Sequence, residues 1–171
     1  MLTPAPAAFR RELGGLLPRL RGFAYYLCQD LVLSDDLVQA CCQRALEQWA
    51  LFQPGTQLDR WLFRILKNLW IDRLRATPAE AVLEDEAWEA LPAPDWQAAM
   101  ERRLLLDQVL AALGRLPPPL RLVLVLVCVE DLSYRETADL LEIPIGTVMS
   151  RLSRARAQLL QTLGTDHDPS A

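Results

Sequence analysis

Apolar residues recur along most of this chain at helical spacing rather than in alternation, so the elements they predict are helices. Val38, Cys41, Cys42, Ala45 and Trp49 fall at i, i+3, i+4, i+7 and i+11 on one face. Ser34 ahead of them has the chemistry of an N-cap, with Asp35 and Asp36 in the first turn, where a helix dipole favours negative charge. Gln53-Pro54-Gly55-Thr56-Gln57 reads as a turn, and after it Leu58, Leu62, Ile65, Leu66 and Leu69 form the buried face of a helix from about Leu58 to Arg75. Val148, Leu152, Ala155 and Leu159 repeat the pattern near the C-terminus. Leu122 to Val129, alternating Leu and Val, could pass for a buried strand. Nothing else in the chain offers it a strand partner, and Pro117 to Pro119 just before it suits the first turn of a helix, so it too is predicted helical. The fold class expected is all-α.

The same helices carry polar faces. Asp36, Gln39 and Gln43 share one, and on spacing alone a solvated stripe is favoured over a docking face. Trp61, Arg64, Asn68, Asp72 and Arg75 share another, and from Arg60 to Arg75 five bases stand against the single acid Asp72. A basic face with aromatics and an amide can grip phosphates while stacking on exposed bases; a solvated face with Trp61 and Trp70 in the core is the competing account.

Charge changes the picture once it is placed along the chain. The 171 residues, 51% apolar and 23% charged, can bury a core and allow one ordinary domain or two small ones. The formal net charge of -4 argues, taken whole, against a nucleic-acid binder. Between Arg75 and Arg102, however, lie Glu80, Glu84, Asp85, Glu86, Glu89, Asp95 and Glu101 with no base and with Pro78, Pro92 and Pro94. That stretch reads as a linker, and removing its -7 leaves the rest of the chain at +3. Two small helical domains are therefore expected, over residues 9–76 and 102–163, joined by an acidic, proline-containing linker over 77–101.

Several classes of function lack their parts. Cys28, Cys41, Cys42 and Cys128 form no C-x-x-C pair and the one histidine is His167, so zinc sites and histidine-dependent triads are not expected, and the thiols read as small buried groups. No glycine-rich phosphate loop or nucleophile elbow is present, so neither an enzyme nor a cofactor is expected. The run Leu122 to Val129 is too short to span a bilayer and Met1 to Ala8 lacks the makings of a secretory signal, which predicts a cytoplasmic protein without membrane insertion.

Tyr134 to Leu141, then Glu142 to Ile145, then Gly146 onward has the layout of a helix-turn-helix, with the small Ala138 where two helices must cross closely. Thr147, Ser150, Arg151, Arg154 and Gln158 lie on a side opposite the apolar stripe, and no acid occurs between Ile143 and Leu163, which suits a recognition helix for the major groove. Glu142 stands where such turns often carry Gly, which costs about 1 kcal/mol if its φ is left-handed.

Taken together, these blocks resemble the bacterial sigma factors of the extracytoplasmic-function (ECF) group in their two-domain form. Ser34-Asp35-Asp36-Leu37-Val38-Gln39 is similar to the family's D-x-x-D-L-V-Q-type signature. Phe52-Gln53-Pro54-Gly55, Trp61-Leu62-Phe63-Arg64-Ile65 and Asn68 to Arg75 resemble the rest of its region two. Leu116-Pro117-Pro118, Leu132 to Glu136 and Gly146 to Arg156 resemble region four. The resemblance implies a non-enzymatic factor that binds core RNA polymerase, through its β′ clamp helices and β flap, and directs promoter-specific initiation. It implies that Asp35, Asp36, Leu37, Gln39 and Gln43 face polymerase. Phe52, Gln53, Thr56, Gln57, Trp61, Arg64, Lys67, Asn68 and Arg75 would engage the minus-ten element of promoter DNA and capture a flipped base. Arg135, Thr147, Ser150, Arg151 and Arg154 would meet the minus-thirty-five element. An anti-sigma factor is a partner plausible for the family.

The chain departs from the family pattern in three places. Met149 stands where a basic residue is common, Cys41-Cys42-Gln43 replaces the usual continuation of the signature, and the helix at Leu122 to Val129 is unusually apolar, as a docking face for an inhibitor would be. The competing function is a sigma-like interaction protein that binds an anti-sigma regulator without reading promoters, which predicts loss of the basic faces this chain keeps.

Overall fold

The computed structural model describes residues 5–53, 55–76 and 96–165, and every regular element among them is helical. Helix α1 (Ala7–Cys28), α2 (Leu31–Glu47) and α3 (Leu58–Ala76) make one compact unit. Helices α4 (Trp96–Arg115), α5 (Pro118–Cys128) and α7 (Ile145–Thr165) belong to a second, and α6 (Tyr134–Leu141) precedes α7. Residues Ala138–Ile143 group with the first unit. The acidic linker expected over 77–101 lies largely outside the described residues, and α4 takes up its end from Trp96. No helix among the described residues is long and apolar enough to cross a membrane.

The first unit closes around Phe23 and Phe63, both fully buried with ring centroids 4.6 Å apart. Leu20, Ala24 and Leu27 of α1, Val38, Cys41 and Ala45 of α2, and Leu58, Leu62, Leu66 and Trp70 of α3 complete the core. Arg19 sits 5.1 Å over the Phe63 ring while its Nη1 reaches Asp59 at 2.6 Å, tying α1 to the start of α3.

Ser34 is not the cap of α2. The helix begins three residues earlier because Gln29 takes a left-handed φ of 58° to end α1, and Asp30 then accepts a hydrogen bond from the Leu33 N–H at 2.8 Å. Ser34 lies inside the helix, buried, with its hydroxyl donating to the Leu31 carbonyl at 2.8 Å, so Asp35 and Asp36 fall beyond the first turn. Burial pushes the Cys41 thiol up to about 12, and it donates to the Leu62 carbonyl, a packing role. Cys128, by contrast, is exposed rather than buried.

In the second unit the Leu and Val run forms α5, as the missing strand partner required. Pro118 and Pro119 sit at its first two positions, where no N–H acceptor would exist, and the first helical bonds run from Leu120 and Arg121 to the Pro117 carbonyl at 2.9 and 3.0 Å. Arg121 donates back to the carbonyls of Gly114 and Leu116, satisfying the end of α4. Leu122 to Leu126 are all buried, as are Val148, Leu152 and Ala155 of α7, the helix on which α5 packs. The apolarity of this helix therefore serves the core of its own unit.

Candidate nucleic-acid interface

The turn between α2 and α3 is built from its own residues. A short 3-10 turn at Trp49–Leu51 leads to Phe52, and Gly55 takes φ 91°, a value that favours glycine. Thr56 closes the loop, its N–H and hydroxyl both bonding the Gln53 carbonyl, at 3.2 and 2.7 Å. Gln57 is held at the mouth of α3, accepting from Arg60 Nε at 2.8 Å. Phe52 and Trp61 are each half-buried and meet at 5.6 Å between ring centroids, with Phe9 of α1 at 5.9 and 6.2 Å from them. These three rings clamp the loop to the helices, so Trp61 is less open to solvent than its place on the polar stripe suggested.

Beyond the loop, Arg64, Asn68 and Arg75 are exposed on α3, as are Gln53, Thr56 and Gln57. Lys67 departs from the expectation. It is 6% exposed, its Nζ donates to the Leu140 carbonyl at 3.4 Å, and burial lowers its pKa. It does not stand in solvent with the other cations.

On α2, Asp35, Asp36, Gln39 and Gln43 form a continuous exposed stripe, in which Arg21 Nε reaches Asp35 Oδ1 at 3.1 Å and Gln43 donates to Glu47 at 3.0 Å. Leu37 lies elsewhere. At 6% exposure it belongs to the bundle core, one turn before Cys41, and is not presented to a partner.

The helix-turn-helix is precise in its local bonding. Ser133 and Glu136 make a capping box at the start of α6: the Ser133 N–H donates to Glu136 Oε2 at 2.8 Å, and the Ser133 hydroxyl accepts from the Glu136 N–H at 3.2 Å. The S-x-x-E spelling at Ser133 to Glu136 is the sequence signal of this box. Glu142 does take a left-handed φ, 57°, and the Ile143 N–H bonds back to the Ala138 carbonyl at 3.1 Å, ending α6 as a glycine would. On α7, Ser150 and Arg154 are exposed while Thr147 and Arg151 are half-buried, and Arg135 is exposed on α6. Ser150 Oγ donates to the Thr147 carbonyl at 3.1 Å and Arg154 Nε to the Ser150 carbonyl at 3.4 Å, so the Arg154 guanidinium lies along the helix toward its N-terminus. Among the described residues no three His, Cys, Asp or Glu side chains gather to hold a metal ion.

Comparison with known proteins places these surfaces in a family context. Residues 14–78 match the model described as Sigma-70 region 2, and residues 106–159 the model described as Sigma-70, region 4. The ECF RNA polymerase sigma factor EcfG of Rhodopseudomonas palustris (strain TIE-1) is 34% identical over 163 residues, which cover 95% of this chain and 89% of that protein. Among solved structures, the sigma factor RpoE in complex with the anti-sigma factor NepR from Bartonella quintana is similar at 30% identity and a TM-score of 0.77, covering 95% of this chain and all of that one (100%). CnrH, solved in complex with the cytosolic domain of CnrY, is similar at 29% identity and a TM-score of 0.66, over 92% of this chain and 90% of that one.

Proposed function

This chain belongs to the ECF RNA polymerase sigma factors, which direct core RNA polymerase to specific promoters and catalyse nothing themselves, and from that premise we propose how its residues divide the work. The domain over 9–76 docks on the β′ clamp helices through Asp35, Asp36, Gln39 and Gln43. Its loop over 52–57 and the α3 face of Arg64, Asn68 and Arg75 engage the minus-ten element, with Trp61 holding the loop in shape. The domain over 102–163 meets the β flap and sets Thr147, Ser150, Arg151 and Arg154 against the minus-thirty-five element, with Arg135 on the phosphate backbone. The observation that carries this reading is the pairing of faces on α3 and α7. Each buries its apolar side, and each exposes arginines beside amide or hydroxyl side chains. Such a protein works in the cytoplasm, where polymerase is. Because RpoE was solved with the anti-sigma factor NepR and CnrH with the cytosolic domain of CnrY, an inhibitory protein partner is part of the same proposal.

Reconstitution with core polymerase tests it. Run-off transcription from genomic fragments is expected to yield discrete promoter-specific products; core binding without any such product would favour the interaction-protein alternative. Asp36→Ala is expected to weaken core binding by about 1 kcal/mol or more with helicity unchanged, and full affinity in a pull-down would return that stripe to solvent. Arg154→Ala is expected to reduce the slope of log affinity against log salt for promoter DNA by about 1, the signature of one lost phosphate contact, or to relax one base preference by about 1–3 kcal/mol. Neither change would remove Arg154 from the interface.

A further inference from the structure

We propose that Met149, with Ile145 one turn before it, reads the 5-methyl group of a thymine in the upstream promoter element. The inference rests on the assignment of α7 as the recognition helix and adds to it a base-specific contact.

Met149 and Ile145 are 53% and 49% exposed at the start of α7, four residues apart and so on one edge of the helix. Neither serves the core, to which α7 contributes Val148, Leu152 and Ala155. The surface around them is open. A Cβ added at Gly146, between them, would meet no atom within 4 Å, and Ser150 and Ser153 on the adjoining positions are small and exposed. The first turns of a recognition helix are those that enter the major groove. Here those turns present two apolar tips over small neighbours, and the exposed Arg154 lies five residues beyond Met149, further round the helix.

Most of what a base pair offers in that groove is hydrogen-bond donors and acceptors, which a thioether and a sec-butyl group cannot match. The one apolar feature is the thymine methyl. A cation in place of Met149 would reach for phosphate. Methionine, unbranched and polarizable, instead conforms to a methyl group and excludes water from it.

The experiment uses holoenzyme and a promoter mapped by the reconstitution above. Each thymine of the upstream element, on either strand, is replaced in turn by deoxyuridine, which removes only the methyl group. One replacement is expected to weaken wild-type holoenzyme by about fourfold, the effect of one buried methyl, and to leave Met149→Ala unaffected, while Met149→Leu keeps the sensitivity. Because Met149 is exposed, the alanine variant is expected to keep its helicity and its core affinity. An element without thymine, insensitivity of wild type to every replacement, or equal sensitivity of wild type and Met149→Ala would overturn the proposal. Arg154→Ala separates the two levels. If it weakens the same promoter while the deoxyuridine series is flat, the recognition helix stands and the methyl contact falls. If neither has an effect, α7 is not the reading helix.

Discussion

Phe63→Ala is expected to destabilise the α1–α3 unit by about 3–5 kcal/mol, the range for emptying a fully buried aromatic site. Phe63 is the point where three features meet. Its ring lies 4.6 Å from that of Phe23, the Arg19 guanidinium sits 5.1 Å over it, and Arg19 in turn reaches Asp59 at the head of α3. Truncation leaves a cavity against Phe23 and removes the surface on which Arg19 rests, so part of the loss falls on the α1 to α3 tie. Hydrogen exchange read by mass spectrometry suits the test because it separates the two units of the chain. Peptides from α1, α2 and α3 should lose protection together, while those from α5 and α7 keep theirs. Phe63→Leu should lose much less, since most of the volume remains. A loss under about 1 kcal/mol in the alanine variant would mean that the bundle closes around some other contact. The functional consequence is positional: Arg64 and Asn68 stay on the exposed side of α3 because Phe63 and Leu66 are anchored inward.

That dependence explains which parts of the molecule were legible beforehand. The faces of α2, α3 and α7 follow from spacing, because a side chain every three or four positions must share a side. Leu62, Leu66, Val148 and Leu152 are buried as their periodicity demands. Helix ends are set by single backbone angles, and there the expectation about Ser34 failed. Gln29 at φ 58° is a left-handed residue with no glycine to announce it, and it makes Asp30 the cap. Residues at the margin of a face were equally illegible. Leu37 lies where the buried and exposed sides of its helix meet, and periodicity assigns a border position to either; Lys67 is covered by a segment distant in sequence, its Nζ donating to the Leu140 carbonyl at 3.4 Å. Glu142 takes the left-handed angle that its place in a helix-turn-helix favours, with no glycine there to announce it. For the aromatic pair Phe52 and Trp61, the sequence pattern located the loop but not Phe9, whose contact spans the length of the bundle sequence and exists only in the fold.

Trp61→Ala is expected to reduce promoter opening by about 1–3 kcal/mol, roughly five- to 150-fold, while leaving core binding intact. The measurement is the fluorescence of 2-aminopurine placed in the minus-ten element of a holoenzyme complex, which reports unstacking directly. Two routes could produce the loss, and the geometry distinguishes them. If Trp61 acts by bracing the loop, then Phe9→Ala, which removes the third ring of the cluster from α1, should impair opening comparably, since each aromatic pair is worth about 0.5–1.5 kcal/mol beyond its buried area. If Trp61 instead stacks on a base itself, Phe9→Ala should leave opening nearly unchanged. The half-buried state of Trp61 and its centroid distances of 5.6 and 6.2 Å to Phe52 and Phe9 favour the bracing route. In that case the exposed Gln53, Thr56 and Gln57 make the contacts, and the rings hold those side chains in the geometry that a flipped base requires. Normal opening by Trp61→Ala would remove both routes and leave the loop to Gly55 and the Thr56 bonds alone.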